Sequence, residues 1–435
     1  MKLYTRYSLI LLGLFTFIIL APLIVLYISG TRFNFTDRDT TSTGILDAKS
    51  NPSGAKVFVN GEENTSTPAI IRFLNQNEYE IKITYDGYFD WIKRLPVESG
   101  KVTYTQEGVK QIELIKLPEP KTLIPNTVTS FVLVNNEVWY SSGSNIFSTS
   151  VSSKDEKPSI NVGFNVSGIS VLRDKYHLFV TGADNKSAIV DTNSRKFFPL
   201  PKTVSDSNNL VIASANTLLY LNNNILYSYN FTDKTNNQIS ENIFALTMLD
   251  STVYLANADG TINSSLWDGK DLVDTQTLTT STAFKNNPAQ LVITDRKALF
   301  FKLGSELFQV GETLVPILSG VNNIELNLST DELTIQTPSE LWFYNFLASK
   351  PQLLTRNSST SHDFEIHSDV GYGFIASDSG LEAIEIDSRG GQNRYQLIKN
   401  GANTNKAVWQ LAMTANQKTI VALHDGSLVT LLIRN

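Results

Sequence analysis

The side chains best suited to acid–base or metal chemistry are few. Four histidines occur, at positions 177, 362, 367 and 424. His362 and His367 stand five apart with Asp363 and Glu365 between them, residue types that ligate metals and move protons. In one strand an odd separation sends two side chains to opposite faces, so the spacing predicts ordinary strand and turn histidines rather than a metal site. Ser53-Gly54-Ala55-Lys56 has serine–lysine spacing, but that pairing needs a helical turn, and this segment reads as a turn entering a strand. Asp259-Gly260 and Asp425-Gly426 lack the alternating oxygen ligands of a calcium loop and read as tight turns. Glu382 and Glu385 read as solvated surface. HExxH, GxSxG and P-loop patterns are absent. With no cysteine in the chain, a thiol nucleophile, a cysteine-ligated metal, a disulfide framework and a lipidated N-terminal cysteine are excluded. No catalytic residue, metal ligand or cofactor is therefore assigned.

The formal net charge is -6 over 435 residues. Without a lysine- and arginine-rich surface, nucleic acid is not an expected partner. Abundant asparagine, serine and threonine with a good supply of aromatics favour strands joined by polar turns.

The first element is apolar. No charge occurs between Tyr7 and Thr31, and about 22 apolar residues in a helix span about 33 Å, the thickness of a bilayer core. Lys2 and Arg6 precede the run, which predicts a cytoplasmic N-terminus and an exported remainder. The run is longer than a signal-peptide core, and the exit Tyr27-Ile28-Ser29-Gly30 is a poor cleavage site. Residues 1–30 are thus expected to be a cytoplasmic N-terminus and transmembrane signal anchor, with residues 8–29 in the lipid bilayer. Polar residues 31–43 read as a stalk.

Residues 44–117 read as a small β domain. Val57 and Val59 alternate with Lys56 and Phe58, and Tyr79, Ile81 and Ile83 alternate with Glu80, Lys82 and Thr84, the period of half-buried strands. Asn60-Gly61 and Asp86-Gly87 are turn signals. The run Asn51-Pro52-Ser53-Gly54-Ala55-Lys56-Val57-Phe58-Val59-Asn60-Gly61, then Thr67-Pro68, then Tyr79 to Ile83 and Gly87-Tyr88 resembles a PEGA domain. The name-giving tetrapeptide departs from the family, with Ser53 in place of glutamate. The resemblance implies a β-sandwich-like module of surface proteins, usually non-enzymatic, in which Pro52, Gly54, Ala55, Asn60, Gly61, Thr67, Pro68, Gly87 and Tyr88 are structural. Residues 118–120, Pro118-Glu119-Pro120, form a stiff linker.

Residues 121–435 repeat a unit of apolar strand, tight turn and apolar strand. Examples are Val138-Trp139-Tyr140 with Ile146-Phe147, Leu299-Phe300-Phe301 with Leu307-Phe308, and Ile420-Val421-Ala422 with Leu428-Val429. The first apolar residues after the turns, from Ile146 to Leu428, recur about every 40 positions, the period of a β-propeller. Eight blades are expected, with seven the alternative. The last copy lacks a fourth strand, so Lys121-Thr122-Leu123-Ile124-Pro125 is expected to complete it and remove an open sheet edge.

The fold expected is an all-β ectodomain with one N-terminal transmembrane helix, comprising a small β-sandwich and a β-propeller. The function expected is that of a non-catalytic, membrane-anchored, extracytoplasmic binding or scaffolding protein whose partner is a cell-envelope protein or glycan. The alternative is a glycosidase-like enzyme acting on polysaccharide, because two catalytic acids need not be neighbours in sequence.

Overall fold

In the computed structural model, residues 3–28, 31–34, 39–106, 111–125, 127–152, 157–207, 209–281, 289–356, 361–400 and 408–434 are described. Lys2 and the exit residues Ser29 and Gly30 lie outside them. Apart from helix α1 (Leu3–Ile28) and a helical turn at Lys202–Ser205, the regular structure is strand.

Helix α1 presents Ile10, Leu11, Leu12, Phe15 and Phe17 to the outside. Among the described residues no helix is long and apolar enough to cross a membrane. The expected span therefore rests on the sequence of α1.

The expected stalk is instead partly strand. Thr31–Asn34 pairs antiparallel with the start of Asp39–Ala48, through Thr31↔Ser42 to Asn34↔Asp39. Within the segment 31–43 expected to be a stalk, residues 40–43 are Thr-Thr-Ser-Thr, and β-branched threonine suits an extended backbone. Strand Asp39–Ala48 then continues into the small domain, pairing with Ala69–Asn75 and Val102–Tyr104.

The small domain packs that sheet against a second one, ordered Glu62–Ser66, Lys56–Val59, Asn77–Thr84, Trp91–Val97. Between them lie Leu46, Val57, Ile81, Ile83, Trp91 and Leu95. The alternation read from the sequence decides which side chains go inside: Val57, Ile81 and Ile83 are fully buried. Asn60 and Gly61 both adopt positive φ, at 51° and 85°, as a two-residue hairpin loop requires.

From Lys121 to Leu432 the described strands form eight four-stranded antiparallel sheets. Their first strands are Ser130–Val134, Val166–Val171, Asn209–Ser214, Ile243–Leu249, Ala289–Ile293, Asn323–Asn327, Ser361–His367 and Val408–Met413. The first strands at Ser130 and Val166, at Asn209 and Ile243, at Ile243 and Ala289, and at Ser361 and Val408 touch, and Val408–Met413 also touches Ser130–Val134. Shared apolar clusters join the remaining neighbours, so the row closes into a ring. Each interface between sheets is apolar. Trp139, Ile146, Leu178, Val180 and Val190 fill one, and Phe300, Leu307, Leu333, Ile335 and Tyr344 another. No single sheet can bury both faces, so the ring is the stable unit.

The last sheet contains Lys121–Ile124 as its outer strand, paired antiparallel with Ser427–Leu432 through Lys121↔Thr430 and Thr122↔Val429. The two ends of the domain thus share one sheet. Leu123 and Ile124 pack with Val421 and Leu428 in a common core.

Candidate functional site

Two features could carry function: the seam between the small domain and the ring, and the cavity at the ring's centre.

The seam is built by Trp91–Val97. Alternation along this strand buries Trp91, Lys93, Leu95 and Val97 and exposes the residues between them. Lys93 is thus a cation at a core position. Its Nζ donates to the Asp387 carbonyl at 2.6 Å and lies 3.1 Å from Glu385 Oε1 and 3.4 Å from Asp387 Oδ2. Glu385 Oε1 also accepts from Trp91 Nε1 at 3.0 Å, and Oε2 accepts from Asn393 Nδ2 at 2.8 Å. Burial pushes the Glu385 carboxyl up, opposed by the Lys93 charge and by hydrogen bonds from Trp91 and Asn393. Glu385 is fully buried, which corrects the expectation of solvated surface. Its neighbour Glu382 is half-buried and pairs with Arg394 at 2.9 Å.

Around this network the seam is continuous. Phe89 stacks on Tyr395 with centroids 4.8 Å apart. Tyr395 Oη donates to the Asp90 carbonyl, and Arg389 Nη2 to that of Tyr104. Glu113 meets Arg434 at 3.2 Å, and the Lys116 N–H donates to the Ile433 carbonyl. Gly390 is required here: at φ +61°, an added Cβ would fall 1.9 Å from the Arg94 carbonyl oxygen. The proline segment at 118–120 is thus flanked by residues fastened to the ring, with Lys116 bonded to Ile433 and Lys121 paired to Thr430.

The central cavity has a volume of about 650 Å³. Five of the first strands line it: those beginning at Ser130, Val166, Asn323, Ser361 and Val408. Glu325, Asp363, Glu365 and His367 all face it. The Asp363 carboxylate clips two sheets together, accepting from the Leu411 N–H at 2.6 Å and from its neighbour Phe364 at 2.8 Å. Burial pushes the Asp363 carboxyl up to about 8; the Leu411 N–H opposes this, while Glu365 and Glu325 add to it. Glu325 is solvent-accessible, yet surrounding protein and then the Glu365 charge raise its pKa. Glu365 Oε2 accepts from Asn327 Nδ2 at 2.5 Å and lies 3.1 Å from His367 Nε2.

The histidine pair departs from the expectation only in its facing, because the strand's register shifts between Ser361 and Asp363. Both imidazoles do belong to one strand, but both line the cavity. They take different partners, His362 meeting Asp378 at 2.7 Å and His367 meeting Glu365. Among the described residues no group of three or more histidine, aspartate or glutamate side chains is placed to hold a metal ion.

The residues singled out for the PEGA resemblance occupy turns and supports. Gly54 and Gly87 have positive φ, at 84° and 82°. Thr67 Oγ1 lies 2.6 Å from Ser50 Oγ and accepts from the Ala55 N–H. The Pro52 carbonyl accepts from Ser50 Oγ. The peptide bonds before Pro52 and Pro68 are cis. Tyr88 is buried beside the seam, bridging to Lys116. None of these residues lines the cavity.

The fold and its site define an all-β protein in which a propeller-like ring carries a small β module. A family profile described as the PEGA domain matches residues 43–111. The C-terminal WD40 domain of Sif2 is similar in fold, with a TM-score of 0.52 at 9% identity, covering 73% of this chain and 99% of that one. A computationally designed protein, Ika8, scores 0.49 at 10% identity over 71% of this chain and 96% of its own. Sqt1 of Saccharomyces cerevisiae scores 0.47 at 11% identity over 73% and 98%. No curated protein matches the chain.

Proposed function

We propose that this chain is a non-catalytic, membrane-anchored scaffold of the cell envelope, with α1 in the bilayer and the eight sheets acting as the blades of one extracytoplasmic recognition platform. The observation that carries this reading is the buried Lys93–Glu385 network. It makes the small module and the ring one body, so the ring's orientation is set by the segment joining it to α1. A propeller offers a broad, preformed surface of loops, and a fixed orientation reduces the entropy lost when a partner binds. The sequence of α1, with its cationic N-terminus, supports an extracytoplasmic ring. The partner class is an envelope protein or glycan.

Two measurements on cells making the full chain test this. Protease added from outside, with the wall opened, is expected to remove the ring; protection until lysis refutes the orientation. Affinity capture after cross-linking is expected to enrich one envelope component reproducibly. Failure to enrich any protein or glycan refutes the platform.

One observation favours a polysaccharide-acting enzyme instead: Glu325, Asp363 and Glu365 share a cavity, as acid pairs do in glycosidases. Release of new reducing ends from envelope polysaccharide by wild type, lost in E325Q, would establish that reading.

A further inference from the structure

The small module has two outward sheet faces, and they differ in chemistry. On its second sheet Lys56 meets Glu63 at 3.3 Å, Lys82 meets Asp90 at 2.7 Å and Arg94 meets Glu80 at 3.7 Å, beside an exposed Ile92. A face laced with ion pairs suits water. On the first sheet, register decides which side chains turn outward. Leu46 stands opposite Ile71 and Thr103, and Leu46, Ala48 and Ile71 point into the core. The alternate residues therefore point out. Asp47 is flanked by Ile70 on one side and Tyr104 on the other, and Ile45 stands beside Val102. Ile70 is 56% exposed, Tyr104 54% and Val102 43%. Asp47 is paired to Lys49 at 2.6 Å, and Arg72, two residues past Ile70, is exposed. Apolar side chains gathered on one exposed face mark a surface that something covers.

What covers it follows from where the sheet is joined to the rest of the chain. The face is built on Asp39–Ala48, whose start pairs with Thr31–Asn34, so that Ser42 stands opposite Thr31. Thr31 is three residues past Ile28, the last of α1, and Ile45 is three past Ser42. Three residues reach at most about 11 Å and a strand pair adds about 5 Å, so Ile45 lies within about 27 Å of the end of α1. Helix α1 has 26 residues. A helix of that length spans about 39 Å against a hydrocarbon core of about 30 Å, so its end reaches the headgroups of a bilayer that it crosses. A tether this short keeps the face and the lipid surface at high effective concentration. Tyrosine beside aliphatic side chains is a composition that settles at a headgroup layer, and an exposed arginine adds attraction to anionic lipid.

We propose that this face lies on the bilayer that holds α1, with Ile70, Val102 and Tyr104 entering the headgroup layer. The inference deepens the membrane-anchored reading and rests on it. Because Lys93 and Glu385 fasten the module to the ring, a face seated on lipid fixes the tilt of the ring as well as its distance from the membrane.

The chain has no cysteine, so a single introduced thiol can carry a spin label. Ile70→Cys, Val102→Cys and Tyr104→Cys are compared, in the full chain reconstituted into vesicles of phosphatidylethanolamine and phosphatidylglycerol, with Leu12→Cys in α1 and Ser305→Cys at an exposed turn of the ring. At the three face positions the label is expected to collide with oxygen more than with a water-soluble nickel chelate, as at Leu12, and to lose most of the nickel broadening seen at Ser305. Adding Ile70→Asp is expected to return the label at Tyr104→Cys to water with no change in melting temperature, because Ile70 is exposed. Adding Ile92→Asp, on the module's other face, is expected to leave that label in lipid. Face labels as aqueous as Ser305, with Leu12 in lipid, overturn the proposal and leave the anchor standing. A label at Leu12 that reads as aqueous overturns the anchor, and the seated face with it. Spin–spin broadening at Tyr104→Cys would put a second copy on the face and overturns the proposal, as does an equal response to Ile70→Asp and Ile92→Asp.

Discussion

Lys93 of the small module and Glu385 of the ring form an ion pair, at 3.1 Å, in which neither side chain reaches solvent. Two charges withdrawn from water are tolerable only while each compensates the other and the remaining hydrogen-bonding capacity is used. Here Trp91, Asn393 and the Asp387 carbonyl supply those remaining bonds. Removing one partner leaves an uncompensated buried charge. K93M and E385L are each expected to destabilise the native chain by about 3–5 kcal/mol. The double variant is expected to lose much less than the sum, because it buries no charge from this pair. Denaturant unfolding of the four proteins closes the cycle; strict additivity would show that the pair does not couple the two units.

Gly390 gives a steric test of the same seam. An alanine there collides with the Arg94 backbone, which has no flexible side-chain end to yield. Gly391, next in the chain, also has positive φ, at 96°, but open space around it. G391A thus carries only the conformational penalty of a left-handed backbone, about 1–2 kcal/mol. G390A is expected to separate the small module from the ring and to open the proline segment at 118–120 to proteolysis. Equal digestion of the two variants would refute a closely docked seam.

Much of this architecture is legible in the sequence because its signals are local. Alternation chose the buried face of Asn77–Thr84, and Asn60-Gly61 set a hairpin. The seam is less legible because its partners are about 290 residues apart. A signal did exist: Lys93 sits at a core position of the alternation Trp91, Lys93, Leu95, Val97, and a lysine there demands an acid. Which acid depends on the order of sheets round the ring. The same holds for the cavity. Odd residues 363, 365 and 367 share one parity of a strand, but Glu325 and Leu411 reach them only because their sheets are ring neighbours. The segment at 31–43 misled because a threonine-rich strand carries no apolar alternation.

The charge state of Asp363 makes stability depend on pH. An unfolded aspartate ionises near 4, whereas in the folded chain the carboxyl titrates at about 8. Between those values the folded state holds a proton that the unfolded state has lost. Stability from this group is therefore complete below about pH 4, falls as pH rises, and levels off above about 8. Glu325, also raised, acts in the same direction. The facing charged and titratable groups are Glu365, His362, His367 and Lys175. The melting temperature of wild type is expected to fall from pH 5 to pH 8.5, and that of D363N to fall less. Parallel curves would show that another group titrates.

Closure of the ring sets the last expectation. Lys121–Ile124 belongs to the same sheet as the C-terminal strand, so the ring holds only while both ends of the domain are paired. Leu123 and Ile124 are both buried against Val421 and Leu428. Truncating either to alanine removes buried methyl groups and leaves a cavity, at a cost of about 2–5 kcal/mol. L123A and I124A are each expected to lower the denaturant midpoint without changing the transition slope, because the native fold persists. Deleting 121–124 is a different perturbation: it strips the outer strand and bares the edge of Ser427–Leu432, which then invites pairing with another chain. That deletion is expected to lower the melting temperature sharply and to produce dimers or aggregates in sedimentation. A deletion variant that stays monomeric with the wild-type midpoint would show that the ring does not depend on its closing strand.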